Sequence, residues 1–492
     1  MLKMKETKSI CPQCQRTIDA SIFEKDGRML IEQICPQHGR FEDVYWSDAA
    51  LFHKFDKYWH TGSGLNNPMK EENEGCPHDC GICPSHKTTT ILANIDVTNR
   101  CNMHCPVCFA NAKTSGYIYE PSIDQIRDMM LMLRSEKPVP CYAVQFSGGE
   151  PTVRDDLPEL VAMAHDLGFL QIQIATNGVR LAKSVEFGKK LMHAGLQTVY
   201  LQFDVVYGEP YRKLRGFNAL PIKQKAIENC RTAGIKSIAL VPTVTKGVND
   251  HEVGDIIRFA VDRLDVVKGV NFQPVSFTGR IDQDKREKGR ITIPDVMKLV
   301  EDQTDGEIPV DAWYPVPAGL PISQFISAMR KMPVPEITIH PHCGASTYVF
   351  KENKRLIPIT EFVDVEGLLE FVNEAKSELN GNGSNLRTKL KMIQRVPSFF
   401  DKKSAPKSVD VAKLFIDILK HGTDEATQQF HRNALCLGTM HFQDLYNFDL
   451  NRVQRCGIHY ATPDGRVIPF CAYNTLHREE VEAKFSRPYV EL

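Results

Sequence analysis

The chemistry this sequence offers is written in its cysteines. Cys101-Asn102-Met103-His104-Cys105-Pro106-Val107-Cys108 places three thiols on one short loop. Three thiolates so spaced bind three irons of a 4Fe-4S cluster and leave the fourth iron open to an outside ligand. The same spacing recurs in Cys76-Pro77-His78-Asp79-Cys80-Gly81-Ile82-Cys83. Cys11-Pro12-Gln13-Cys14 and Cys35-Pro36-Gln37-His38 form two knuckles suited to a single tetrahedral ion, with His38 as fourth ligand rather than an exposed loop histidine. Zinc there would staple the chain; iron would carry electrons, and the cluster-rich surroundings favour iron. Cys343, Cys436, Cys456 and Cys471 bring four more thiolates from separate places, the number that closes a cluster. The competing reading is that one or more of them packs in a core, Cys436 first, since it follows Ala434-Leu435.

These groups need a scaffold, and the sequence describes one between Ile91 and Pro274. β-rich runs at Ile91–Thr98, Ala143–Ser147, Leu170–Ala175, Thr198–Phe203, Ser237–Val241 and Gly269–Gln273 alternate with stretches of helical apolar spacing. Leu157, Leu160, Val161, Ala164 and Leu167 make one such stripe; Val253, Ile256, Ile257, Ala260 and Leu264 make another. Six strand-helix units predict an α/β fold, a partial or complete barrel whose chemistry sits at the C-terminal ends of its strands. The cysteine loop follows the first strand. Ser147-Gly148-Gly149-Glu150-Pro151 ends the second, where glycines let a ligand approach the backbone. The Cys76 group precedes the first strand and belongs at the opposite end. A closed cluster there needs a fourth ligand, and Cys141, just before the second strand, is expected to supply it; otherwise it is a buried thiol. Cys230 reads as core, on an apolar helix face with Ile222, Ala226 and Ile227.

The 492 residues exceed one compact core, so additions flank the barrel. Lys+Arg 60 against Asp+Glu 61 leaves a formal charge of -1, which gives no overall attraction for nucleic acid or an anionic membrane. No apolar run reaches the roughly 18 residues of a spanning helix, and the charged start does not read as a signal peptide. The expectation is a cytoplasmic protein, with metal rather than disulfides accounting for fifteen cysteines. Asn380-Gly381-Asn382-Gly383-Ser384-Asn385 predicts a turn or linker. A stripe of Val411, Leu414, Phe415, Ile418 and Leu419 predicts a helix facing a core, or an interfacial helix in peripheral contact with a membrane.

Taken together, the open cysteine triad and the Gly-Gly-Glu-Pro segment resemble the radical S-adenosylmethionine (SAM) enzymes. That resemblance implies SAM on the open iron of the Cys101, Cys105 and Cys108 cluster and a 5'-deoxyadenosyl radical as product. It also implies that Asn177, which closes the third strand, and Val241, which closes the fifth, line the SAM site. Asn177 reads equally well as a cap or loop residue, and Val241 better as core.

Over nearly its whole length the chain resembles archaeal radical SAM proteins that include tetraether lipid synthase, through Gly75–Cys83, Asn99–Asn111, Val144–Arg154, His459–Arg466 and Pro469–Cys471. The resemblance implies a partial (β/α)6 barrel at 91–310, a rubredoxin- or zinc-ribbon-like module at 1–60 and a connecting segment with an auxiliary cluster at 61–90. A C-terminal iron-sulfur domain follows at 311–492. The implied cofactors are the SAM-cleaving cluster, two auxiliary 4Fe-4S clusters and one mononuclear Fe or Zn. The favoured implied activity joins unactivated chain ends of archaeol-type diether lipids, with a low-potential donor such as ferredoxin. The alternative in the same group is a class D methylase of 7,8-dihydro-6-hydroxymethylpterin. A lipid enzyme needs a long apolar tunnel, and a pterin enzyme a slot with polar anchors; Trp313-Tyr314-Pro315-Val316-Pro317, Phe325 and Ile326 would line either, though core packing suits them better. A non-enzymatic electron-transfer protein accounts for the outer cysteines but not for the glycine segment.

Overall fold

A computed structural model describes residues 4–488 apart from 113–115, 282, 332, 381–384, 408–409, 411, 414–415 and 417–432. The tip of the expected turn at 381–384 and all five residues of the apolar stripe, Val411, Leu414, Phe415, Ile418 and Leu419, lie outside the described residues.

Six parallel strands form the centre: Leu92–Thr98, Ala143–Gly148, Gln171–Thr176, Thr198–Gln202, Ile238–Val241 and Val267–Pro274, adjacent in that order. Along five of them apolar and polar residues alternate, as a strand with two different faces requires, while the fifth, Ile238–Val241, is apolar throughout. The outward set, including Ala93, Ile95, Val97, Val144, Phe146, Ile172, Ile174, Val199 and Leu201, is buried against the surrounding helices. Helix Leu157–Asp166 contributes Leu157, Leu160, Val161 and Ala164 to that core, and helix Val253–Val261 contributes Val253, Ile256, Ile257 and Ala260. The inward set is polar: Asn94 and Asp96, Gln145 and Ser147, Gln171 and Gln173, Tyr200 and Gln202, Asn271 and Gln273. The barrel therefore has an apolar wall and a lumen lined with amides, a carboxylate and a phenol.

The C-terminal region does not build a sheet of its own. Leu435–Met440 adds in parallel to the sixth barrel strand, with Gly344–Glu352 antiparallel beyond it, while Ile458–Ala461 adds in parallel to the first. One 13-stranded sheet results, so residues on both sides of the expected boundary at 310 share it. Trp313 and Phe325 are fully buried core residues.

At the other end of the chain, four antiparallel strands, Met4–Ile10, Thr17–Lys25, Arg28–Cys35 and Gly39–Trp46, form a ribbon docked on the C-terminal region. Thr7 and Tyr45 donate to the Asp449 carboxylate at 2.7 and 2.8 Å, Ser9 to Phe448 O, and Gln33 to Leu445 O. Arg290 bridges Asp43 of the ribbon and Asp444. Among the described residues no helix is long and apolar enough to cross a membrane.

Candidate active site

The loop that carries Cys101, Cys105 and Cys108 leaves the first barrel strand and is gripped by its carbonyls. Arg280 Nε donates to Cys105 O at 2.8 Å, Arg215 Nη1 donates to Val107 O at 2.8 Å, and Cys108 exchanges two backbone hydrogen bonds with Arg280. Arg215 is itself held in a buried bidentate pair with Asp204, both bonds 2.8 Å. Removing one partner of such a pair costs about 3–5 kcal/mol, so the grip is rigid. The three thiols feel one another's charge, and burial pushes Cys101 up to about 12 as a free thiol. Among the described residues only the ribbon's four ligand atoms all lie within 4.8 Å of one another. The Cys101 triad is thus too widely spaced for one ion and suits the corners of a cluster.

The glycine segment lies against the base of that loop. Gly149 N donates to Thr98 O at 2.7 Å and Glu150 N to Arg100 O at 2.9 Å. Gly148 has φ +126°, and a Cβ on either glycine would collide with the backbone of Thr98, Asn99 or Arg100. Glycine is therefore required first by the close approach of the strand exits, which also leaves a backbone cradle beside the cysteines. Ser147 Oγ donates to Asp96, and Pro151 starts a single turn. Glu150 is buried, and its carboxylate accepts from Thr152 N and Oγ1, Thr176 Oγ1 and Asn177 N, so it organises the ends of strands two and three.

Asn177 reaches the cysteine loop: its Nδ2 donates to Asn102 Oδ1 at 2.7 Å. Val241 ends the fifth strand in register with Gln202, its carbonyl accepting from Phe203 N, on the same face of the strand as Ala239. Lys223, fully buried, donates to Asn177 O at 2.5 Å and to Gln202 Oε1 at 2.6 Å. Burial lowers its amine to about 8, countered by Asp204.

Outside the ribbon, the other cysteines sort into two neighbouring groups and three solitary thiols. Cys76, Cys80 and Cys83 line a pocket closed by Val453, Gln454 and Pro469. Asp79 shapes that loop by accepting from the backbone N–H of Asn73, Glu74 and Gly75 at 2.6–2.7 Å. Cys343, Cys456 and Cys471 converge beside it: each lies within electrostatic reach of the others, and Cys456 also of Cys80. Arg452, almost wholly buried, donates to Cys343 Sγ at 3.3 Å and to His441 O. Among the described residues it has no carboxylate within ion-pair distance, so these sulfurs are its counter-charge, as a thiolate-held cluster would be.

Two expectations are corrected. Cys141 does not join the Cys76 group: its thiol donates to Ala143 O at 3.3 Å inside the barrel wall, near Arg134 and Ala93. Cys436 does not join Cys343, Cys456 and Cys471: it lies on an added strand in register with Gly269 and Tyr348, where the Tyr348 hydroxyl is its partner. Cys230 is a buried helix thiol, as expected.

The ribbon site fits one tetrahedral ion. Cys14 and Cys35 Sγ are 4.0 Å apart, and His38 Nδ1 lies 3.5 and 3.4 Å from Cys11 and Cys35 Sγ. Metal–sulfur bonds of about 2.3 Å at tetrahedral angles demand sulfur separations of about 3.8 Å.

Sequence reading passed over Asp96, Lys223, Arg215 and Arg478. Arg478 comes from the last helix to pair with Asp96 at 2.6 Å, stacked near Tyr460 and Tyr473. The polar alternation of the strands could have flagged Asp96; no local pattern marks the arginines.

Comparison with known proteins agrees with this geometry. Residues 95–260 match the Radical SAM superfamily, and residues 3–47 match the HMPTM N-terminal zinc ribbon domain. The chain is 54% identical over 492 residues to the 7,8-dihydro-6-hydroxymethylpterin dimethyltransferase of Methanocaldococcus jannaschii, covering 99% of this chain and 96% of that one. A GTP 3',8-cyclase of Clostridium acetobutylicum is 28% identical over 204 residues, 41% of this chain and 61% of that one. A crystal structure of methylornithine synthase overlaps 44% of this chain and 64% of that one, at 17% identity and a TM-score of 0.34. The diether-lipid reading, of activity and of substrate, is overturned by the near-full-length likeness to a pterin dimethyltransferase. The lumen, polar where a lipid needs a long apolar tunnel, fits that correction.

Proposed function

The chain belongs to the radical SAM superfamily and, within it, to the family of the 7,8-dihydro-6-hydroxymethylpterin dimethyltransferase, and from that premise we propose that it methylates 7,8-dihydro-6-hydroxymethylpterin, drawing on a folate-like one-carbon donor. The observation that carries this reading is the 54% identity along 99% of the chain.

Cys101, Cys105 and Cys108 would hold the SAM-cleaving 4Fe-4S cluster, which with SAM supplies a 5'-deoxyadenosyl radical for hydrogen abstraction. The chain's own part is placement. Arg215 and Arg280 fix the loop by its carbonyls, the bare backbone of Gly148 and Gly149 offers polar groups for the SAM amino group, and Asn177 ties the strand-three exit to Asn102. The outward apolar wall keeps water from reaching the lumen sideways, which protects a carbon radical. Cys76, Cys80 and Cys83 would hold one auxiliary cluster and Cys343, Cys456 and Cys471 a second, with Arg452 offsetting its negative charge. Cys11, Cys14, Cys35 and His38 would hold zinc: the histidine ligand suits a structural zinc site better than an all-sulfur iron site.

The test is anaerobic incubation of the reconstituted protein with SAM, a reductant, 7,8-dihydro-6-hydroxymethylpterin and the one-carbon donor, read by mass spectrometry. Pterin-dependent 5'-deoxyadenosine with a methylated pterin supports the reading. Unchanged pterin in a preparation that cleaves SAM overturns it.

A further inference from the structure

The lumen wall carries three polar side chains whose hydrogen bonds are only half used. Tyr200 on the fourth strand and Asn271 and Gln273 on the sixth all point inward, between outward-facing Val199, Leu201, Val270 and Phe272, which are buried. The fifth strand separates them and leaves room: its inward residue beside Tyr200 is Ala239. Across this gap the Tyr200 hydroxyl oxygen accepts from Asn271 Nδ2 and from Gln273 Nε2, the latter at 3.1 Å.

That arrangement fixes what remains. A phenol oxygen has two lone pairs and one proton; both lone pairs are taken, so the O–H must donate elsewhere. Burial raises the Tyr200 pKa, which keeps that proton in place. Each amide has spent an N–H on Tyr200, so its carbonyl oxygen is directed away, and among the described residues neither Asn271 Oδ1 nor Gln273 Oε1 accepts a hydrogen bond from the protein. All three residues keep partial exposure. Gly438, in register with Asn271 on the neighbouring strand, keeps one of these oxygens uncovered: a Cβ there would lie 3.0 Å from Asn271 Oδ1. The lumen wall thus offers two free amide oxygens as acceptors, with the Tyr200 hydroxyl and the second N–H of each amide as donors, on strands whose packing locks them.

We propose that Tyr200, Asn271 and Gln273 form a specificity subsite for the 2-amino-4-oxopyrimidine edge of a flat bicyclic substrate. The two amide oxygens accept from the 2-amino group and the adjacent ring N–H, and the Tyr200 hydroxyl donates to the 4-oxo group. This deepens the methylase reading and rests on it for the choice of pterin, because a guanine presents the same edge. Asn271 is level with Val241 and Gln202 near the C-terminal strand ends. A ring anchored by that edge leaves its far, pyrazine side, which carries the 6-hydroxymethyl group, free of the subsite.

The experiment is equilibrium binding to the anaerobically reconstituted holoenzyme, followed by ligand fluorescence for the two pteridines and by isothermal titration calorimetry for GTP. The ligands are 6-hydroxymethylpterin, 6-hydroxymethyllumazine (a 2-oxo replacement of the 2-amino group) and GTP. Wild-type protein is expected to bind the pterin at least about tenfold more tightly than the lumazine, since an unpaired acceptor in a desolvated site is costly. Gln273→Met should erase most of that preference, and Tyr200→Phe should weaken the pterin about tenfold without restoring the lumazine. Circular dichroism and iron content identify any variant that fails to fold, and Asn271→Leu, which keeps the volume and removes the other acceptor, then replaces it and should likewise erase most of the preference. Pterin binding that neither Gln273→Met nor Tyr200→Phe alters overturns the subsite and leaves the methylase reading standing. Tight GTP binding that these variants weaken, with the pterin excluded, supports the subsite and overturns the choice of pterin.

Discussion

Asn177 Nδ2 donates to Asn102 Oδ1 across 2.7 Å, joining the exit of the third barrel strand to the loop that follows the first. The same residue donates its backbone N–H to Glu150 and offers its carbonyl to Lys223. Three strand exits and one helix therefore meet at a single asparagine. Asn177→Ala removes this side-chain link to the cysteine loop while keeping the backbone bonds. A hydrogen bond of this kind contributes about 1 kcal/mol, roughly a fivefold effect. We expect full iron content and SAM cleavage slowed by about that factor, measured as 5'-deoxyadenosine per minute; an unchanged rate would show that the loop is positioned without it.

The cysteine assignments separate by what each thiol touches. Cys101→Ala with Cys105→Ala and Cys108→Ala should abolish 5'-deoxyadenosine formation. Cys343→Ala or Cys471→Ala should spare it and stop product formation. Cys141→Ala and Cys436→Ala should leave the iron content at the wild-type value, because their thiols are engaged by Ala143 O and by the Tyr348 hydroxyl. Iron analysis of the purified proteins decides it: loss of about four irons in Cys141→Ala would return that residue to the ligand set.

Much of this was legible because the barrel strands carry two faces. Ile91–Thr98 differs from the observed strand by one residue, and the polar positions at 94 and 96 were already set between apolar ones at 93, 95 and 97. The cysteine loop and the glycine segment were legible because their spacing is local. Cys141 was misread for a geometric reason: strand order places its backbone near the start of the first strand but does not fix side-chain direction, and the thiol turns into the wall. Cys436 was misread because membership in a strand paired with Gly269 leaves no mark at either position. Contacts such as Arg478 with Asp96, 382 residues apart, have no sequence signal at all.

Glu136 gives the protein a pH dependence of stability. It is 2% exposed, accepts from Thr90 N and Oγ1, and burial raises its carboxyl from 4.5 to about 7. Above pH 4.5 an unfolded chain releases the proton that the folded chain still holds. The contribution is therefore complete below the unfolded value and is lost as pH rises through the folded value of about 7. The shift corresponds to on the order of 3 kcal/mol at most. Glu136→Gln cannot ionise, so its melting temperature should gain on that of the wild type between pH 5 and pH 8. Parallel profiles would mean that Glu136 is charged in the fold at neutral pH.

Arg452 tests the C-terminal cluster by a property other than activity. Its guanidinium is buried with Cys343 Sγ 3.3 Å from Nε, the His441 carbonyl at 2.6 Å and the Tyr45 ring nearby. Burial works against its charge and the neighbouring Cys343 and Cys471 sulfurs work for it, and a guanidinium stays cationic in a protein. A fixed positive charge beside a cluster favours the reduced, more negative state. Arg452→Met keeps the length of the side chain and removes the charge, so the midpoint potential of one cluster should fall while the other two stay put. Anaerobic redox titration followed by electron paramagnetic resonance reads this directly. Three unchanged potentials with full iron content would show that no cluster lies against Cys343, and would confine the auxiliary chemistry to Cys76, Cys80 and Cys83.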